Sequence, residues 1–553
     1  MLILKRLMKN RIMEKFKNLI PHFIVLLLFI VISFIYFSPI LEGKKLDTHD
    51  VKTWQGGSKE IKDFREETGE EALWTNSMFA GMPAYQISTE YRGNKLNYIS
   101  SLLSLGIPRP ASLLFLYLLS FYILLVSLQV DYRLSAVGAI AFAFSSYLFI
   151  ILEAGHMTKA HAIGFLPMVV SSVLYTYRGK ILLGGVLTAI TVALQIYANH
   201  LQITYYLLLM LIIIGLVQFV KDLRANNLFD FFKRTSVLII AAILASGTSF
   251  SRLATTMEYG KDSTRGKSEL KDELDNKTTG LDKDYATSWS YGIAETATLL
   301  IPDFHGGSSQ GSLTTDSETY KAIKRAPNAK RIIKQLPLYW GSQPFTSGPV
   351  YAGAIVIFLF ILGLFFVKSE IRTWLLLATI MSIMLAWGKN FMFLTELFLD
   401  YVPGYNKFRA VSMILVIAEF TIPLLAFLAL NKFLNQENNK EEKERYLRFS
   451  FYVVGGVTLL FAFIPSLFFD FVGLQDSNLE QNGWPIDALQ SDRSALLRSD
   501  AWRSFVFIGL AFIILLLFLK NKVSKKYVIL LIGVLVISDM WTINKRYLND
   551  DDF

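Results

Sequence analysis

The chain has 553 residues, 53% of them hydrophobic, and its mean hydropathy of +0.41 comes from apolar blocks about twenty residues long that no soluble core requires. Having no cysteine, it has no disulfides, thiolate nucleophiles or thiolate metal sites, so any metal must sit on oxygen and nitrogen ligands. The net charge of +10 is concentrated in short segments beside the apolar blocks, where it sets topology and meets anionic headgroups; the lipid bilayer, not nucleic acid, is the expected partner.

In chain order, residues 1–19 carry Lys5, Arg6, Lys9, Arg11, Lys15 and Lys17 ahead of the first apolar run, 20–37, which by the positive-inside rule keeps the N-terminus in the cytoplasm. That run ends in Phe37-Ser38-Pro39-Ile40, without a small-residue cleavage site, and reads as a retained anchor. Further runs begin near Ala111, Leu134, Ala162, Ile181, Ile203, Thr235, Pro349, Thr373, Ala410, Phe449, Arg503 and Tyr527. They predict an all-α polytopic membrane domain over 20–542 with about thirteen transmembrane helices. Threading from an inside N-terminus puts Arg133, Arg178, Lys180, Lys221, Arg224, Lys233 and Arg234 in the cytoplasm, together with the basic turns at 368–372, 432–448 and 520–526. The extracytoplasmic side then holds a long first loop (38–110), tight turns at 153–161 and 198–202, a loop at 254–348, shorter ones at 388–409 and 470–502, and the C-terminal end, 543–553.

Five of the six histidines (His49, His156, His161, His200 and His305) fall on or beside these outer loops. The first loop opens with Leu46-Asp47-Thr48-His49-Asp50. Two carboxylates and an imidazole this close suit a divalent cation, magnesium or manganese, on Asp47, His49 and Asp50, or a carboxylate base toward a hydroxyl; a solvated turn is the alternative. No cofactor is required by the pattern. Farther on, Leu73-Trp74-Thr75-Asn76 and Gly81-Met82-Pro83 suit a sugar-stacking surface with Trp74 or an interfacial aromatic belt.

The turn Glu153-Ala154-Gly155-His156-Met157-Thr158-Lys159 has almost no slack, and His156 with Lys159 suits a phosphate or pyrophosphate. Asn199-His200-Leu201-Gln202 recurs at the next outward turn, and the two turns read as one polar, phosphate-binding site near the interface that includes His200, with ordinary helix-end capping as the alternative. Pro302-Asp303-Phe304-His305-Gly306-Gly307 follows. Lys407 and Arg409 then stand at the outer end of a span, where cations against the inside bias point to an anionic ligand such as a lipid phosphate, with snorkelling as the alternative. The charge-dense stretches at 262–284 and 435–445 carry no chemical signal, and no Walker, dinucleotide, nucleophile-elbow or zinc-protease pattern occurs.

The order of these features resembles the YfhO family of bacterial membrane proteins, members of the GT-C glycosyltransferase superfamily, and the wording of the motifs is similar to Bacteroidetes-type members. The matching residues are Asp50-Val51-Lys52-Thr53-Trp54-Gln55, Trp74 with Gly81 and Pro83, Leu300-Ile301 with residues 302–307, and Asn406-Lys407-Phe408-Arg409-Ala410. The resemblance implies a GT-C-like bundle in the bacterial cytoplasmic membrane that moves a sugar from a polyprenyl-phosphate carrier to an envelope glycan, lipid or polymer acceptor. It implies a catalytic acid in the first outer loop, carried here to Asp50 with Asp47 second, and a cation on the carrier phosphate, for which Lys159, Lys407 and Arg409 are candidates. Similar proteins often continue into an outer domain beyond the point corresponding to 550–553, so acceptor recognition is expected there. A transporter or flippase for a lipid-linked glycan, and a non-catalytic envelope scaffold, are the rival readings. A transporter should place ionisable groups deep in several spans or in paired broken helices; the deep residues visible in sequence are Glu419, Gln195 and Gln218.

Overall fold

Apolar blocks this long must satisfy every backbone N–H and C=O internally once lipid surrounds them, and helices do so within one segment. A computed structural model of the chain describes residues 2–266, 278–435 and 439–553, with side chains from residue 17 onward. The central part of the charge-dense 262–284 loop and residues 436–438 of the charged hairpin expected in the cytoplasm lie outside the described residues. The structure is 71% helical, and its named strands are the two-residue pair Trp74–Thr75 and Met82–Pro83. It is a multi-pass membrane protein.

Each predicted apolar run falls on a helix, but not every run is a full crossing. Among the described residues, seven helices are long and apolar enough to cross a membrane, or ten if each of three bent pairs is one span. The predicted runs near Ala111, Ile181 and Pro349 become Ala111–Ser127, Ile181–Tyr197 and Ala354–Phe366, which are shorter than the roughly 20 residues a straight crossing needs. The predicted single helix near Leu134 is Tyr132–Ala143 followed by Ser146–Glu153, bent by 46°. The break is stitched by partners from elsewhere. Ser146 donates its N–H to Tyr351 O (3.1 Å), its hydroxyl accepts from Tyr351 N (2.9 Å), and Asn544 Nδ2 donates to Phe144 O (2.9 Å). Side chains thus replace the hydrogen bonds that the helix gives up.

The helix Leu415–Asn435 is buried on nearly every face and forms the axis of the bundle, packed by Ala354–Phe366, Glu370–Ala386 and Tyr132–Ala143. The first helix, Leu2–Tyr36, is largely exposed along its apolar stretch, as expected for an element facing lipid on most sides. Helix Ile486–Leu519 begins well before its apolar stretch and braces described parts of two expected outer loops. Asp492 accepts the N–H groups of Glu318 and Thr319, and buried Arg493 makes a two-pronged pair with Asp476 at 2.6 and 3.0 Å.

The motif at 302–307 serves the fold. Arg546 forms parallel bonds to Asp500 (2.7 and 2.8 Å) and a third to Asp303 (3.0 Å), while the Tyr547 hydroxyl donates to Asp303 (2.5 Å). Both carboxylates are buried, so removing the guanidinium strands two like charges. Arg546→Ala is expected to destabilise the protein by about 2–4 kcal/mol, the lower part of the range for a broken buried pair because Arg546 retains solvent access. Thermal unfolding in detergent measures it, and an unchanged midpoint would refute the structural role.

Candidate functional site

A helix starting at His49 puts Asp50 in its first turn, with Thr48 in extended conformation as the cap residue. The turn before Met157–Tyr177 reaches this point because Gly155 has φ +85°. A Cβ there would lie 2.8 Å from Thr48 Oγ1 and 3.0 Å from the Asp50 Cβ. The resulting contact joins residues a hundred positions apart: His156 Nδ1 lies 2.9 Å from Asp50 Oδ2. Burial, reinforced by the Lys159 charge, pushes His156 below the ordinary imidazole value against the opposing pull of Asp50. The neutral ring therefore donates its Nδ1–H to Asp50 Oδ2, and among the described residues Oδ1 has no partner.

Lys159, one turn into the helix, is buried yet makes no ion pair or hydrogen bond among the described residues. Asp50 and Arg409 both lie within electrostatic range of its ammonium group. Arg409 is held by the loop segment sequence reasoning passed over: its Nη1 donates to Tyr285 Oη (2.8 Å), and its guanidinium lies 5.6 and 5.8 Å from the Tyr285 and Trp289 rings. Tyr285 and Trp289 stand four apart in a charged loop, which is the only local signal that could have marked them. Gln202 fixes the Arg409 backbone from the neighbouring turn, donating to its carbonyl at 2.7 Å. His200 lies within electrostatic range of both Lys159 and His156, and burial is the main cause that drives it down to about 3. Its Nδ1 accepts from Ile203 N (3.3 Å), so it also caps the helix Leu201–Arg224.

The other predicted site residues separate from this group. Asp47 is turned onto Lys52 (2.6 Å), and its backbone N–H bonds Asp552 O (2.8 Å). His49 is exposed. Asp47, His49 and Asp50 therefore do not gather around a common point, and among the described residues no three His, Asp or Glu side chains form a metal-holding group. Their closeness in sequence does not become closeness of side chains: Asp47 lies ahead of the Thr48 cap and is held by Lys52, while His49 and Asp50, one apart in the helix, point in different directions. Lys407 is spent on the loop carbonyls of Arg265 (2.8 Å) and Thr279 (2.6 Å), so it clamps the 254–348 loop and does not join Lys159. Trp74 lies over Gly81 in the two-stranded hairpin, and its ring is exposed.

Beside the 302–307 motif, a small cavity is lined by Tyr291, Glu295, His305 and Tyr339. Burial raises the Glu295 carboxyl to about 7 despite hydrogen bonds from Gly292 N, Tyr339 and Gln343. His305 stacks on Trp340 (4.1 Å), its Nδ1 has no partner among the described residues, and burial lowers it to about 3.

No family model, curated protein or solved structure matches the chain. The site must therefore be read from its own geometry.

Two outcomes follow. Gly155→Ala is expected to push the 48–50 segment off the turn and, in a transfer or ligand-binding assay, to reduce function at least as much as loss of His156; wild-type behaviour would show that the contact is dispensable. For pH, the unfolded chain takes up protons at His305 below about 6.5 while the folded site refuses them until about 3. That stability is complete above the unfolded value and is lost as pH falls. His305→Phe, which keeps the stacking, should flatten the fall of the melting temperature with acidification, and an unaltered slope would remove His305 as its cause.

Proposed function

We propose that the chain is a membrane glycosyltransferase of the YfhO type, with a GT-C-like bundle in the bacterial cytoplasmic membrane, that moves a sugar from a polyprenyl-phosphate carrier to a cell-envelope acceptor. In this reading the three shorter apolar helices and the three bent pairs complete thirteen spans, with the N-terminus in the cytoplasm and the C-terminal end outside. The single observation that carries it is buried Lys159, a cation without a partner among the described residues, within electrostatic range of Asp50 and Arg409, with Asp50 paired to His156. A lone buried ammonium is unfavourable unless an anion meets it, and a phosphate monoester or diester supplies that anion with hydrogen-bond acceptors.

The chemistry is a direct displacement. The acceptor hydroxyl oxygen attacks the anomeric carbon as the bond from that carbon to the carrier phosphate breaks. Asp50 Oδ1 takes the hydroxyl proton, while the polyprenyl phosphate leaves with its charge against Lys159 and Arg409. His156 acts as a positioning residue, its Nδ1–H holding Oδ2 and so the orientation of the carboxylate. An apolar groove lined by Ile30, Phe34, Ile35 and Leu41 of the first helix and its continuation suits a prenyl tail.

A second reading, a transporter for a lipid-linked glycan, draws on the three bent helix pairs, since broken helices line many transport sites. The two readings differ in what Asp50 does. Asp50→Asn is expected to lower sugar transfer by about 10²–10⁴-fold with the melting temperature unchanged. Lys159→Met should weaken donor binding by about ten- to a hundredfold. Transfer from a polyprenyl-phosphate sugar by purified protein is the measurement; full transfer by Asp50→Asn would sink the catalytic assignment.

A further inference from the structure

The most buried helix carries a carboxylate that sugar transfer does not use. Glu419 lies in Leu415–Asn435, 1% exposed, and its side chain reaches the break between Tyr132–Ala143 and Ser146–Glu153. There the Ser145 hydroxyl donates to Glu419 Oε1. Oε2 is buried without any hydrogen-bond partner, and among the described residues no lysine, arginine or histidine pairs with the carboxylate. The hydroxyls of Tyr147 and Tyr117 are likewise buried and unpartnered, and both lie within electrostatic range of Glu419. Tyr291 is the remaining titratable neighbour in range. Pro423, four residues on, has no N–H to offer the Glu419 carbonyl, so the backbone is also short of a donor at this level.

A bare carboxylate in a dry, low-dielectric core is strongly unfavourable and must be neutralised. The donors around it are all oxygen, which suits a hard cation, and one carboxylate balances one positive charge. We propose that Glu419, with Ser145 and the hydroxyls of Tyr147 and Tyr117, forms an intramembrane site for a single exchangeable monovalent cation, a proton or a sodium ion. The site stands at the foot of the half-helix Ser146–Glu153, whose far end leads through Gly155 to His156. Cation exchange there changes the charge against the residue that anchors the half-helix. The proposal does not depend on the transferase reading.

The test uses the full chain in lipid nanodiscs. The melting temperature is followed against sodium chloride, with choline chloride as the ionic-strength control, at mildly acidic and mildly alkaline pH. Infrared difference spectra follow the protonated-carboxyl band through the same exchanges. If sodium is the ligand, alkaline samples gain several degrees in a saturable way and the band is replaced on adding sodium. If the proton is the ligand, the band disappears on raising the pH while the protein stays folded, without a sodium effect. Either response must be lost in Glu419→Gln and weakened in Tyr147→Phe, which keeps the carboxylate and serves if Glu419→Gln fails to fold. A band that neither alkali nor sodium removes from the folded protein marks a sealed acid and overturns the proposal. So does an identical response in wild type and Glu419→Gln or, where that variant does not fold, in wild type and Tyr147→Phe.

Discussion

The approach of residues 48–50 to the Gly155 turn holds the candidate site together. Only a residue without a Cβ, in the left-handed region, lets the first loop sit on the entry to Met157–Tyr177 at this distance. From that one contact follow the Asp50–His156 bond and the enclosure of the buried Lys159 end of the helix. Arg409 closes the arrangement from a third segment, itself fixed by Gln202, Tyr285 and Trp289.

The membrane imposes the second layer of organisation. Where a helix breaks, freed backbone groups must find partners, and Tyr351, Ser146 and Asn544 provide them around residues 143–146. The same rule governs Asp539, which accepts from Tyr351 Oη, Arg503 and Ala354 N at the start of another apolar helix. Polar side chains deep in this bundle are therefore mostly structural pairs. Glu419 differs from Asp539 because, among the described residues, one of its carboxylate oxygens has no partner and no cation pairs with it. Its link through Ser145 to the half-helix under His156 gives the bundle a mechanical connection between its core and its loop end.

Much of the architecture was legible in the chain because apolar periodicity and length report directly on helices. Each predicted run is helical, and His200 at the second tight turn lies within electrostatic range of His156 and Lys159 at the first. The expected metal grouping of Asp47, His49 and Asp50 does not form among the described residues, since Asp47 lies ahead of the helix on Lys52 while His49 and Asp50 diverge within it. Lys407 and Arg409 look equivalent in sequence, two apart with like charge, yet one clamps loop carbonyls and the other is held on Tyr285 and Trp289 within electrostatic range of Lys159. The Asp303–His305 motif looked chemical and proved to be bound into an ion network with Arg546 and a stack with Trp340.

The sequence by itself determined that this is a polytopic helical membrane protein, that its basic turns and its histidine-bearing turns alternate along the chain, and that Asp50, His156, Lys159 and Arg409 were worth watching. Those properties are written in composition and spacing, which act locally. Which of the watched residues share a site, which span is broken, and where a buried charge lacks a partner were decided by tertiary structure alone. Each depends on contacts between segments from tens to hundreds of residues apart, and no local pattern encodes the approach of a first-loop threonine to Gly155 or of Ser145 to Glu419.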